Sequence, residues 1–99
     1  MGDNSEGAFN TAAGVEAMFK NTTGLQNTAI GMQAMRSNLA GSYDIAIGTN
    51  ALQNNNVGSY NTVVGPFAGS LSISYNNTVA LGYGAEPTGS NQVRIGMPA

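Results

Sequence analysis

The sequence predicts an all-β fold, a parallel β-solenoid (β-roll) built from 17-residue coils and closed by one coil of 14. Three observations predict it. Gly14, Gly31, Gly48, Gly65 and Gly82 stand 17 residues apart, and Gly96 follows after 14. Apolar columns hold the same register around those glycines. Only 8% of residues are charged, and 14 are glycine, so a thin, regular core is expected in place of a thick one.

The columns define the unit. Two residues before each main glycine stand Ala12, Ala29, Ala46, Val63 and Ala80, and one before stand Ala13, Ile30, Ile47, Val64 and Leu81. Ala17, Ala34, Ala51, Ala68 and Ala85 lie three residues after it. A second glycine column, Gly7, Gly24, Gly41 and Gly58, ends at Tyr75. A unit of this length is too short for the helix pair of a helical solenoid.

Each element follows from its residues. "YDIAIG" and "NTVVG" are short, apolar and β-branched, which reads as a strand. The glycine supplies a turn that admits positive φ. "TNALQ" and "MQAMR" read as a second short extended segment, and "SNLAGSY" and "NNNVGSY" as the return turn. Coils stacked at about 4.8 Å give a roll roughly 25–30 Å tall. The three residues missing from the last coil are expected to come from the return turn. A slip within a strand would turn every side chain to the other face.

Side chains alternate along a strand, so Ile45 and Ile47 share one face and Ala46 takes the other. The bulkier column, Ile30, Ile47, Val64 and Leu81, is expected to fill the roll. Ile47→Asp or Val64→Asp is then expected to abolish folding through a buried charge. Val15, Met18, Phe19, Met32, Met35, Leu52 and Phe67 exceed what such an interior can hold. Lateral association is therefore expected, as a homotrimer that buries the Met/Leu and Ala columns between rolls.

The pattern "NTAIGMQAM…GSYDIAIGTNAL…GSYNTVVG" resembles the head repeats of trimeric autotransporter adhesins, as does the 14-residue spacing in "NTVALGYGAEPTGSNQVRIG". The 17-residue version is similar to head-like arrays in phage tail fibres and bacterial surface proteins. The resemblance implies a left-handed parallel β-roll that trimerises, with an extracellular location on a virion tail fibre or a bacterial cell surface. It divides the chain into a flexible N-terminus (1–6), head-like repeats (7–96) and a truncated C-terminal continuation (97–99). The implied function is structural and adhesive: a rigid multivalent surface that attaches to a host cell-surface receptor or glycan. The first coil departs from the pattern, with Ala13 where the others carry Ile, Val or Leu.

Composition narrows the chemistry. The chain has no His and no Cys, which removes Ser-His and Cys-His nucleophiles and most transition-metal sites. Glu16, Asp44 and Glu86 fall in different columns, so no acid/base pair is indicated. The reading is therefore not an enzyme, with no cofactor and no metal. Three scattered cations and a net charge of −2 argue against nucleic acid, and no apolar run is long enough for direct membrane insertion. "GYGAEPTGSN" lacks the lysine of a phosphate loop.

Two polar columns, Asn10–Asn27–Asp44–Asn61 and Asn21–Asn38–Asn55, read as hydrogen-bonded ladders. Asn21-Thr22-Thr23 and Asn76-Asn77-Thr78 match the glycosylation pattern and are expected to stay bare. Tyr43 and Tyr60 share a column one coil apart. They are expected to pack on each other at the rim of the roll, and are also the candidate receptor contacts. An ice-binding β-solenoid is the alternative function. Its threonine rank, Thr11, Thr28 and Thr62, is interrupted by Ile45 and Val79.

Overall fold

The computed structural model describes residues 8–70 and 74–97. The expected flexible segment 1–6, Gly7 and residues 98–99 lie outside the described residues. Among those described, six three-residue strands follow in chain order: β1 Thr11–Ala13, β2 Thr28–Ile30, β3 Ile45–Ile47, β4 Thr62–Val64, β5 Val79–Leu81 and β6 Val93–Ile95. Each pairs in parallel with the next, giving one six-stranded sheet in sequential order. The chain is a β-solenoid of about five turns.

The register follows the repeat. Thr28 lies beside Thr11, Ile45 beside Thr28, Thr62 beside Ile45, and Val79 beside Thr62, whereas Val93 lies beside Val79 after the shorter interval. The shortening falls in the return turn, as expected. Gly69 N–H still bonds to the Ala85 carbonyl, but the Asn76 N–H already reaches Ser90 Oγ. The missing residues therefore belong between Ala85 and Ser90.

The arm after the main glycine is not the second strand that the sequence suggested. Ala17 and Met18 are adjacent and both fully buried, which strand alternation forbids. The backbone takes positive φ at every other residue instead, with Glu16 at 59° and Met18 at 51°, then Gln33 at 61° and Met35 at 50°. Consecutive turns result. Ala17 N–H bonds to Gly14 O at 3.3 Å, Phe19 N–H to Glu16 O at 3.2 Å, and Asn21 N–H to Met18 O at 3.3 Å. The first two have the type II sign of φ at their third residue. Coils still join on this side: Met18 N–H donates to Ala34 O, Met35 N–H to Ala51 O, and Leu52 N–H to Ala68 O, at 2.9–3.0 Å.

The inside and outside of the strands are the reverse of the expectation. Ala29, Ala46, Val63 and Ala80 are fully buried, while Ile30, Ile47, Val64 and Leu81 are between 37% and 42% exposed. The coil is too narrow for two bulky walls. Met18, Met35 and Leu52 project into it from the turn arm and are themselves fully buried, with Ala17, Ala34, Ala51, Ala68 and Ala85 beside them. Only a small residue at the strand centre fits opposite. The Met/Leu and Ala columns thus fill each roll's own interior, and do not lie between rolls as anticipated.

Gly48 shows why the main glycine recurs. Its φ is 132°, and a Cβ there would lie 2.7 Å from the Gly65 carbonyl carbon in the next coil. At Gly41, in the second column, space alone decides: a Cβ would collide with the Gly58 carbonyl oxygen and with the Asn38 and Asp44 side chains.

Candidate interaction face

On the outer side of the sheet, three columns run from coil to coil. One descends from Ala13 through Ile30, Ile47, Val64 and Leu81 to Ile95. A second runs Thr11, Thr28, Ile45, Thr62, Val79 and Val93, threonine interspersed with Ile and Val. Past the glycine corner Val15, Met32, Thr49, Pro66, Tyr83 and Met97 continue the face; Val15, Met32, Tyr83 and Met97 are 70%, 49%, 61% and 62% exposed. No charged residue occupies any of these positions. Parallel sheets are normally covered on both faces, and an uncharged surface carrying this many exposed Ile, Val, Leu and Met side chains is a candidate interaction face. At the lower corner Phe67 meets Tyr83 edge-on at 6.1 Å, beside an open hollow of about 320 Å³ that Glu86 and Met97 also line.

An ion pair forms on the turn arm. Glu16 Oε1 accepts from Gln33 Nε2 at 2.9 Å and from Arg36 Nε at 3.1 Å. The Gln33 hydrogen bond, then Arg36, hold the Glu16 carboxyl below its ordinary range. The ladder continues through Asn50 Nδ2 to Gln33 Oε1 at 3.0 Å. The Arg36 guanidinium lies 5.4 Å from the centre of the Phe19 ring.

Tyr43 and Tyr60 form the expected pair. Their rings are parallel with centroids 5.2 Å apart, and they are 49% and 61% exposed. Both take positive φ, 58° and 63°. Each directly precedes an inward residue, Asp44 or Asn61, so the aromatic pair is anchored by the ladder behind it.

Both ladders form. Asn38 Nδ2 donates to Asn21 Oδ1 at 2.9 Å, and Asn55 Nδ2 to Asn38 Oδ1 at 3.1 Å. These amides also cap the return turn, through Asn38 to Gly41 O and Asn55 to Gly58 O. The Asn55 Oδ1 is buried and has no hydrogen-bond partner among the described residues. In the second ladder each side-chain Oδ1 accepts the next coil's backbone N–H, from Asn10 down to Asn61. Asn21 is fully buried, which closes that glycosylation pattern in the folded chain. At the other pattern Asn76 is exposed, while the Thr78 hydroxyl is buried and donates to Asn61 Oδ1 at 2.6 Å.

The main glycines keep the role read from the sequence, and Gly82 and Gly96 also carry positive φ, 106° and 77°. The sequence reading missed the outward Ile/Val/Leu column as a surface. Its signal was the alanine in the middle of four of the six strands: alternation with Ala means that one of the two faces is cramped, and the cramped one is the inside. Among the described residues no group of three or more Asp, Glu, His or Cys stands together. Comparison with protein-family models, with curated proteins and with solved structures finds no match to this chain.

Proposed function

We propose that the chain is a structural and adhesive module: a left-handed β-roll that assembles as a homotrimer within a trimeric surface adhesin or phage tail fibre. It would act outside the cell, on a virion tail fibre or a bacterial surface, and present a rigid, threefold-repeated surface to a host receptor or glycan. The observation that carries this reading is the uncharged outer face of the parallel sheet. Each roll fills its own interior, so the surplus of Ile, Val, Leu and Met lies outside, where a neighbouring copy can cover it. Burying side chains of this size is worth roughly 25 cal/mol per Å² of apolar surface.

Three copies packed through that face would leave three Tyr43–Tyr60 pairs at regular intervals. Stacked tyrosines offer aromatic edges and hydroxyls to a sugar or a protein loop. Weak single contacts then gain avidity from simultaneous engagement.

Light scattering over a dilution series tests the assembly. A stable mass near three times 10.1 kDa is expected. A well-folded monomer at all concentrations would overturn the proposal. It would turn attention to the ice-binding alternative, for which thermal hysteresis is the direct assay.

A further inference from the structure

One rung of the inner ladder is chemically out of line. Asn27 uses both ends of its amide: Oδ1 accepts the Asp44 N–H at 2.8 Å, and Nδ2 donates to the Gly41 carbonyl at 2.7 Å. Asn10 and Asn61 repeat this, with Nδ2 on the Gly24 and Tyr75 carbonyls at 2.9 Å each. Asp44 occupies the same place and accepts the Asn61 N–H on Oδ1 at 2.9 Å. Its Oδ2 stands where its neighbours carry the amide nitrogen. A Cβ built on Gly24 would lie 2.8 Å from Asn27 Nδ2 and against the Gly41 oxygen. One built on Gly41 would lie 2.9 Å from Asp44 Oδ2 and against the Gly58 oxygen. An oxygen therefore faces the carbonyl to which an amide would have donated.

Among the described residues nothing nearby neutralises a negative charge. Asp44 is fully buried. Asn27 and Asn61 lie above and below it, with Asn38 and Asn55 beside it. No charged or titratable side chain contributes to its environment. Asn55 Nδ2 approaches Oδ2 at 3.3 Å, a long bond shared with Asn38 Oδ1 and with Gly58 O at 2.8 Å. We propose that Asp44 folds as the neutral acid, its Oδ2–H donating to the Gly58 carbonyl, and that its ionisation is a pH-sensitive break in the ladder between the third and fourth coils.

Burial acts in the same direction: it pushes the Asp44 carboxyl up from 3.8 to about 7, against the opposing hydrogen bonds from Asn61. The sign follows from linkage. Below the unfolded value of 3.8 both states are neutral and the rung is whole. Between there and about 7 the unfolded chain ionises first, so stability falls as pH rises. Above the folded value both states are ionised and the loss is complete.

Urea unfolding of the full chain and of Asp44→Asn, at one protein concentration from about pH 4 to 8.5, tests this. The variant should match the parent at the acid end and gain on it through neutrality. The gap should reach as much as roughly a thousand-fold in the folding equilibrium and stay constant above that. The ¹³C carboxyl resonance of Asp44 in the folded parent should titrate near neutrality. A gap that does not change with pH, or a carboxyl that titrates near its ordinary value, overturns the proposal. If Asp44→Asn fails to fold, the carboxyl titration decides alone.

Discussion

Val63 fills the space that Gly69 leaves. In the earlier coils the position of Gly69 holds Met18, Met35 or Leu52, and the strand centre opposite is alanine. In the fourth coil both are exchanged. A Cβ built on Gly69 would lie 3.3 Å from Val63 Cγ2 and 3.2 Å from Leu52 Cδ2. The interior thus keeps its volume while the bulk moves from the turn arm to the strand.

This exchange predicts strong coupling. Gly69→Met should overpack the coil and cost about 1–3 kcal/mol. Val63→Ala should leave a void and cost about 2 kcal/mol. The double variant restores the composition of the second coil, and its backbone already suits a side chain, since Met35 takes φ 50° where Gly69 takes 63°. Denaturation of all four proteins should give a double variant near the parent. Additive losses would show that the two positions do not share one space.

The Asn21–Asn38–Asn55 ladder predicts an unequal response among asparagines. Asn38→Ala removes two donated bonds and the Oδ1 that accepts from Asn55 Nδ2 at 3.1 Å. Three buried hydrogen bonds are lost at about 1 kcal/mol each, so a loss on the order of 3 kcal/mol is expected. Asn54 makes one exposed bond, to the Ser70 carbonyl. Its replacement by alanine should change stability by less than about 0.5 kcal/mol. Urea midpoints compare the two directly, and equal losses would deny the ladder its special place.

Glu16 sets an acid limb opposite in sign to that of Asp44. Its carboxyl is held low by Gln33 and then Arg36. The stability it contributes is therefore present above its ordinary value of 4.5 and is lost as pH falls through the depressed folded value. The group is solvated, so the effect is small and screened by salt. Glu16→Gln should flatten only the acid end of the pH–stability curve, and less so at high salt. A change confined to neutral pH would contradict this assignment.

The period was legible because glycine, alanine and asparagine each answer a constraint repeated once per coil. Gly48 cannot carry a Cβ, Ala46 faces a narrow interior, and Asn38 must both stack and cap. The turn arm was harder. Glu16, Met18, Gln33 and Met35 are not residues that announce positive φ, so the arm passes for a strand. The clues were substitutions in later coils: Asn50, Gly69 and Gly84 occupy the same φ-positive places, at 61°, 63° and 64°. The orientation of the strands was misread because size was equated with burial. In a roll this thin the opposing arm supplies the bulk, so the interior takes the smaller strand residue. Tyr43 and Tyr60 could be paired from their spacing, but no pattern in the chain says what they touch beyond each other.

The reversed strand faces separate folding from assembly. Ala46 is fully buried between Ala29 and Val63, and Ile47 lies one residue away with a third of its surface in solvent. Ala46→Asp puts an unpaired charge into the roll and should abolish the β signal in circular dichroism. Ile47→Asp puts the same charge on the outer face, where the isolated roll leaves it hydrated, so the coil should still form. In the proposed trimer that position would be covered by other copies, and like charges would meet near the axis. Ile47→Asp should therefore keep the β spectrum and lose the trimer mass in light scattering, with Ile30→Asp and Val64→Asp behaving alike. An Ile47→Asp protein that is folded and still trimeric would place the contact elsewhere on the roll. One that is unfolded would mean that the roll needs its neighbours before it can hold its own coils.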